Sequence, residues 1–312
     1  MPSLNIRHVT TYRYRSPVSF GEHRMMFRPR DSHDQKVIGA NLEISPDPSS
    51  LRFFQDAFGN HVGIARFSSC ATELRFESSV RVEHLPSDVF NLGVEDLPRP
   101  FPITYAADEF PDIAHCIERS EPDPENEVSC WARQFLPASS SIQTLEFLVR
   151  LSKGIHQGFV YRRREARGIQ RAVETLRLGH GTCRDFAMLM IEASRSLGLA
   201  ARFASGYLAI ARDETGQPTQ RRGATHAWAQ IYVPGAGWIG FDPTRGSAGN
   251  GGLVTVAVVR NPRHATPLHG TFVGSASDHL GMEVQVSVTP DSPQAICADC
   301  ERTSQMDFSQ LV

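Results

Sequence analysis

Cysteine is scarce in this chain, and what there is does not pair into a pattern. Cys70, Cys116, Cys130, Cys183, Cys297 and Cys300 are scattered through 312 residues. With no export signal in view, that usage excludes a disulfide framework and fits free thiols in a reducing compartment. Long apolar runs are missing as well, so no membrane-spanning helix is expected. The start, "MPSLNIRHVTTYRYRSPV", alternates polar and apolar residues and lacks the apolar stretch of about 7 to 15 residues that a secretory signal needs. The expected location is cytoplasmic. Charge of one sign is also lacking. A net charge of −2 provides no concentrated positive surface, so neither a nucleic acid nor a membrane is expected as partner. The local exception, "RRREARGIQR" at 162–171, reads as a solvated loop, or alternatively as the lining of an entrance for an acidic substrate. Cys297 and Cys300 form a "CADC" pair whose spacing suits half of a zinc site or a redox motif. No second Cys/His pair follows it and no βαβ context surrounds it, so the plain reading is two free thiols.

What is present is an ordinary globular composition, 40% apolar and 21% charged, in a chain long enough for two domains. Residues 4 to about 85 are short alternating segments, "LNIRHVTTYRYR", "KVIGANLEIS", "LRFFQDAFGNHVGIARF" and "ELRFESSVRVEHL". Turn clusters punctuate them, and no helical period is sustained. Strands at that spacing predict an antiparallel β-sandwich over 1–88. A stretch rich in proline and acid then predicts a connector over 89–128 with one or two short helices. Leu145, Leu148, Val149 and Ile155 approach helical spacing and predict a helix over 142–156. No internal repeat is visible.

The densest signal is "RLGHGTCRDFAMLM" at 177–190. Thr182 is a good N-cap, and Asp185 three residues later completes a near capping box, so Cys183 takes the first helical position. Phe186, Leu189, Met190, Ala193 and Leu197 continue at helical spacing, which makes this a buried helix that stops at Gly198. Beyond it, "AARFASGYLAI", "HAWAQIYV" and "WIGFDPTRG" read as antiparallel strands, the last two as a hairpin. Pairing Tyr232 with Trp238 across a five-residue loop puts 226 opposite 244. Asp242 then lies one diagonal step from His226 on the same face, about 7 to 8 Å away between Cα atoms. A slip of one residue would put the two on opposite faces.

These residue types suit nucleophilic catalysis. Backbone N–H groups and the positive end of a helix stabilise a thiolate at 183, and an imidazole at 226 can act as general base and then general acid. Asp242 would fix the tautomer of that imidazole. The N–H of Cys183 would face a developing oxyanion, and Gly179 and Gly181 would let substrate approach the backbone. Each residue has a plain alternative: a small core cysteine, a hydrogen-bonded structural histidine, an aspartate that opens a turn before proline. The combination favours acyl transfer. Trp228, Tyr232 and Trp238 share the parity of His226, so they are either core or walls of a cleft, with Trp228 the candidate substrate-binding residue. A metal held by His180, Cys183 and His226 is a weaker option, because no paired-ligand spacing supports it.

"GHGTCRDFAMLMIEASRSLGLAARFASGYL", "THAWAQIYVPGAGWIGFDPTRG" and "RNPRHATPLHGTFVG" together resemble the bacterial transglutaminase-like proteins, whose catalytic fold is papain-like. "TYRYRSPVSFGEHRMMFRPR" and "DAFGNHV" resemble the β-rich domain that precedes that core. The resemblance implies an α+β chain: an N-terminal antiparallel β-sandwich, then over 129–292 a papain-like core with a central helix packed on an antiparallel sheet, then a tail over 293–312. It implies Cys183 as nucleophile, His226 as base and Asp242 as orienting acid. Met188 stands where many relatives carry histidine, a difference that leaves the triad intact. The implied activity is acyl transfer on an amide bond of a peptide or protein substrate through a thioester. Water as acceptor would make a cysteine peptidase or amidase, and an amine would make a transglutaminase. A binding module without turnover is the alternative of another class. No cofactor and no metal is expected, and the lack of a D-x-[DN]-x-[DN]-G loop removes any expected dependence on calcium.

Overall fold

Alternation of apolar and polar residues, with buried positions recurring along its length, makes Ser3–Met25 one strand of 23 residues. This β1 is the spine of the first sheet in a computed structural model that describes residues 3–85, 100–138, 141–162, 168–209 and 225–291. β2 (Gln35–Ser45), β3 (Ser50–Gln55), β4 (His61–Arg66) and β5 (Cys70–His84) follow it, in spatial order β2-β5-β1-β4-β3. All pairings are antiparallel. The sheet curls, because β1 shifts register between Arg13 and Val18 and changes partners along its length. Tyr14, Val18, Phe20, Met25, Phe27, Leu74 and Phe76 fill the inside of the curl.

The chain then forms α1 (Phe110–Ile117), α2 (Glu127–Arg133), α3 (Thr144–Gly158), β6 (Val160–Tyr161), α4 (Ala172–Leu178), β7 (His180–Gly181) and α5 (Cys183–Ser196). β8 (Ala201–Leu208), β9 (Thr225–Val233), β10 (Gly237–Asp242), β11 (Ser247–Ala248) and β12 (Leu253–Val259) complete a second antiparallel sheet in the order β11-β10-β9-β8-β12. α5 is buried almost all round and packs on β8 and β9, with α2, α3 and α4 against its other sides. Phe186 through Ala193 are at most 2% exposed. Such a helix is the core of its domain, held by packing rather than by propensity. No helix among the described residues is long and apolar enough to cross a membrane.

The last two strands return to the first sheet. β13 (Leu268–Val273) pairs with the end of β1, and β14 (His279–Pro290) pairs with its beginning. The sequence reading assigns 268–290 to the second domain, whereas these residues extend the first one. Pairings such as Ile6 with Val288 join the two ends of the chain, and a local pattern gives the strand without naming its partner. The proline-rich connector is likewise more than a spacer. Buried Arg195 of α5 donates from Nε to the Cys116 carbonyl at 3.1 Å and from Nη1 to Ser120 Oγ at 3.0 Å. It also pairs at 2.9 Å with buried Glu192 of the same helix, whose carboxylate accepts from the Ser120 N–H and hydroxyl, and together these bonds tie the connector to the central helix.

β12 is an edge strand, and the first domain covers its open edge with side-chain amides. Gln35 Nε2 donates to Thr255 O at 2.7 Å while Gln35 Oε1 accepts from Thr255 N–H at 2.8 Å. Asn60 repeats the arrangement on Val258, donating to its carbonyl at 2.8 Å and accepting from its N–H at 2.9 Å. Each amide thus stands in for the missing neighbouring strand and blocks edge-to-edge pairing. Asn60 is fully buried. Its replacement by alanine would leave both polar groups of Val258 unpaired in a buried place, at about 2 to 4 kcal/mol. Urea denaturation of Asn60→Ala is expected to show a loss of that size with an unchanged m-value; a loss below about 0.5 kcal/mol would remove the amide from any structural role.

Candidate active site

The helix start is fixed by a buried carboxylate. Asp185 Oδ2 accepts from the backbone N–H and the hydroxyl of Thr182, both at 2.8 Å, and Oδ1 accepts from the N–H of Gln170 at 2.7 Å. A side chain on Gly181 would bring its Cβ within 2.8 Å of Asp185 Cβ, so glycine is required for the carboxylate to reach back. Gln170, itself buried, donates from Nε2 to the His180 carbonyl at 3.0 Å and to Thr175 Oγ1 at 3.1 Å. β6 and β7 add a short parallel pairing, Val160 with His180 and Tyr161 with Gly181. The "GHGTC" turn is therefore held on three sides. Cys183 emerges from it partly exposed, in contrast to buried Cys116.

The sheet supplies the other two groups. Tyr232 pairs with Trp238 and Ala229 with Phe241, the register expected from the sequence. His226 Nε2 lies 2.7 Å from Asp242 Oδ2. Asp242 is fully buried, and its other oxygen, Oδ1, accepts from the Thr244 N–H at 3.0 Å. The aspartate opens a turn and orients the histidine at once. Gly206 sits opposite His226 on β8, where a Cβ would lie 2.0 Å from the Val254 carbonyl, so only glycine lets β8 and β12 meet behind the imidazole.

Cys183 lies close enough to His226 for its thiol to act on the imidazole. With Nε2 committed to Asp242, Nδ1 is the ring nitrogen left for the thiol. Burial is the strongest single influence on this imidazole and lowers its pKa. The hydrogen bonds from Asp242 and Cys183, with their charges, outweigh burial and push it up to about 10. The half-buried Arg184 guanidinium, lowered by burial and raised again by the charges of Cys183 and Asp185, adds positive charge beside the sulfur.

Of the residues picked from the sequence, Cys183, His226 and Asp242 converge. Trp228 is only 1% exposed and stacks on His226 with centroids 6.3 Å apart and planes at 26°, so it backs the imidazole rather than facing an open cleft. Tyr232 and Trp238 pack against each other at 5.4 Å, and Arg202 covers Trp238 at 4.0 Å. Those two belong to the cluster that holds Tyr105 and α1. Among the described residues, no three His, Cys, Asp or Glu side chains converge as metal ligands, including His180 with Cys183 and His226. Cys297, Cys300 and 163–167 of the arginine run lie outside the described residues. Arg184 and Gln170 were not singled out from the sequence. Arg184 was legible as a cation next to the thiol, whereas Gln170 is hidden at the edge of a charged run.

Residues 4–83 match the bacterial transglutaminase-like N-terminal region, and residues 131–243 match the transglutaminase-like superfamily. The chain thus carries a transglutaminase-like core domain behind a bacterial transglutaminase-like N-terminal region. It is similar along nearly its whole length to an uncharacterized Mycobacterium tuberculosis protein, 28% identical over 308 residues and covering 94% of each chain. A Mycobacterium leprae relative, also uncharacterized, is 25% identical over 303 residues, covering 91% of this chain and 98% of its own. Among solved structures, a candidate cysteine protease from Cytophaga hutchinsonii shares the fold with a TM-score of 0.68 at 18% identity, covering 93% of this chain and 91% of its own.

A histidine whose pKa is raised above its ordinary 6.5 binds its proton more tightly in the folded chain than in the unfolded one. The stabilisation from this pair is therefore complete below about pH 6.5 and is lost as pH rises toward about 10. In Asp242→Asn the upper end of that window is expected to move down. Proton NMR titration of the His226 ring, run beside urea denaturation at each pH, checks both. A ring that titrates near its ordinary value in the unmodified chain would contradict the geometry.

Proposed function

We infer that this chain is a cysteine-dependent acyl-transfer enzyme acting on amide bonds of a peptide or protein substrate, with water as the acyl acceptor. One observation carries the reading: Cys183, at the first turn of a buried helix, adjoins an imidazole that is held on its far side by a fully buried carboxylate. This is the order nucleophile, base and orienting acid that acyl transfer requires.

His226 takes the thiol proton of Cys183 as the reaction begins. The sulfur adds to the substrate carbonyl carbon, and the carbonyl π electrons move to oxygen. The resulting oxyanion is stabilised by the Cys183 N–H and the positive end of α5. Collapse of this intermediate breaks the C–N bond, and His226 passes its proton to the departing amine, leaving a thioester and a neutral imidazole. Water then attacks the thioester carbonyl as His226 takes one of its protons. Sulfur departs with the C–S electron pair and recovers its proton from His226, the acid product is released, and the starting state is restored. Asp242 keeps Nε2 bonded throughout, so the ring presents Nδ1 to both steps. Trp228 contributes by stacking on the imidazole and keeping water from its back.

The test is mass spectrometry of the adduct trapped after incubation with a mixed peptide library, run in heavy-oxygen water with and without a labelled primary amine. An acyl group on Cys183 and heavy oxygen in the released acid are expected. Incorporation of the amine in preference to water would assign the acceptor the other way, and no adduct at any residue would favour a binding module. Asp242→Asn is expected to lower turnover by on the order of 100-fold or more with the fold retained.

A further inference from the structure

A second cavity, of about 510 Å³, lies at the seam between the two domains and shares no lining residue with the triad. Its volume is in the range of small-molecule sites. The first domain contributes Arg24 and the "DAFGN" turn, the segment between β12 and β13 contributes Arg263 and His264, and β13 contributes His269. Phe58 supplies apolar surface within it, over buried Val259.

The balance of charge in the cavity is positive. Arg263 has no hydrogen-bonded or ion-paired acceptor for its guanidinium among the described residues. Arg24 uses Nη1 on the His264 carbonyl at 3.0 Å, and its Nη2 stands 3.8 Å from Asp56. Asp56 is the one acid lining the space, and its oxygens are already occupied. Oδ1 accepts from the N–H groups of Phe58 and Asn60, and Oδ2 from Asn60 Nδ2, all at 3.0 Å. The carboxylate therefore shapes the turn and offsets one of the two guanidinium charges, which leaves a net positive charge. The imidazoles of His264 and His269, both exposed, add ring N–H donors. A planar guanidinium with a free fork is suited to carboxylate or phosphate, and the apolar surface to the body that carries it.

We propose that this seam cavity binds a small organic anion, a carboxylate or phosphate head on an apolar body, at a site separate from the triad. Arg263 and Arg24 hold the head while Phe58 covers the body. Phe58 also packs on the cluster that contains Trp228, but the binding claim needs no coupling to His226.

Isothermal titration calorimetry of the full chain with phenyl phosphate, benzoate and neutral benzyl alcohol tests this. At least one anion is expected to bind, with benzyl alcohol at least tenfold weaker, and the tighter anion identifies the head group. Arg263→Glu, an exposed substitution that breaks no hydrogen bond of the guanidinium, is expected to weaken anion binding tenfold or more. His264→Ala is expected to weaken it less, and Cys183→Ser not at all. The proposal fails if neither anion binds, if benzyl alcohol binds as well as they do, or if Arg263→Glu changes nothing. It fails equally if alkylating Cys183 abolishes binding, which would place the anion in the catalytic cleft.

Discussion

The contact between His226 and Asp242 depends on strand register. β9 and β10 pair so that Tyr232 faces Trp238, and the 2.7 Å bond between imidazole and carboxylate follows from counting outward along the hairpin. A slip of one residue would reverse the faces and leave Asp242 buried with no cation, which no packing change nearby could repair. The hairpin is held by α5 packed on β8 and β9 and, through β8, by β12, whose outer edge the first domain occupies through Gln35 and Asn60. The first domain therefore stabilises the sheet that carries the imidazole.

The thiol is held by a different device. Asp185 is buried and accepts three hydrogen bonds, from Thr182 twice and from Gln170 once. It fixes the turn before α5, and with it the direction from which Cys183 meets His226. A carboxylate in the first turn also complements the positive end of the helix. Two buried aspartates, 185 on the helix side and 242 on the sheet side, thus position the thiol and the imidazole from opposite directions.

Much of the site was legible in the sequence because its determinants are local. A Thr and an Asp three residues apart ahead of a helical apolar period define a helix start, and a five-residue loop between alternating strands defines a register. The antiparallel strands of the first domain, and the central helix packed on an antiparallel sheet, were legible for the same reason. The return of β13 and β14 to β1 was not, since pairing between chain ends more than 250 residues apart leaves no local mark; Ile6 opposite Val288 is an example. Nor were the amides of Gln35 and Asn60 legible as stand-ins for a strand, because a polar side chain reads as exposed until its partners are known. Trp228 shows the limit of parity. Its side of the strand was right, but sharing a face with His226 did not reveal that the ring lies buried behind the imidazole.

The central claim is that environment, and not exposure, sets the reactivity of Cys183. Among the described thiols Cys70 and Cys130 are exposed, Cys183 is only partly so and Cys116 is buried. The direct measurement is a residue-resolved time course of iodoacetamide alkylation at neutral pH, in the unmodified chain and in His226→Ala. The account predicts that Cys183 is alkylated well ahead of Cys70 and Cys130, and that it falls behind them once the imidazole is gone. Alkylation rates that simply follow exposure, unchanged by loss of His226, would contradict it.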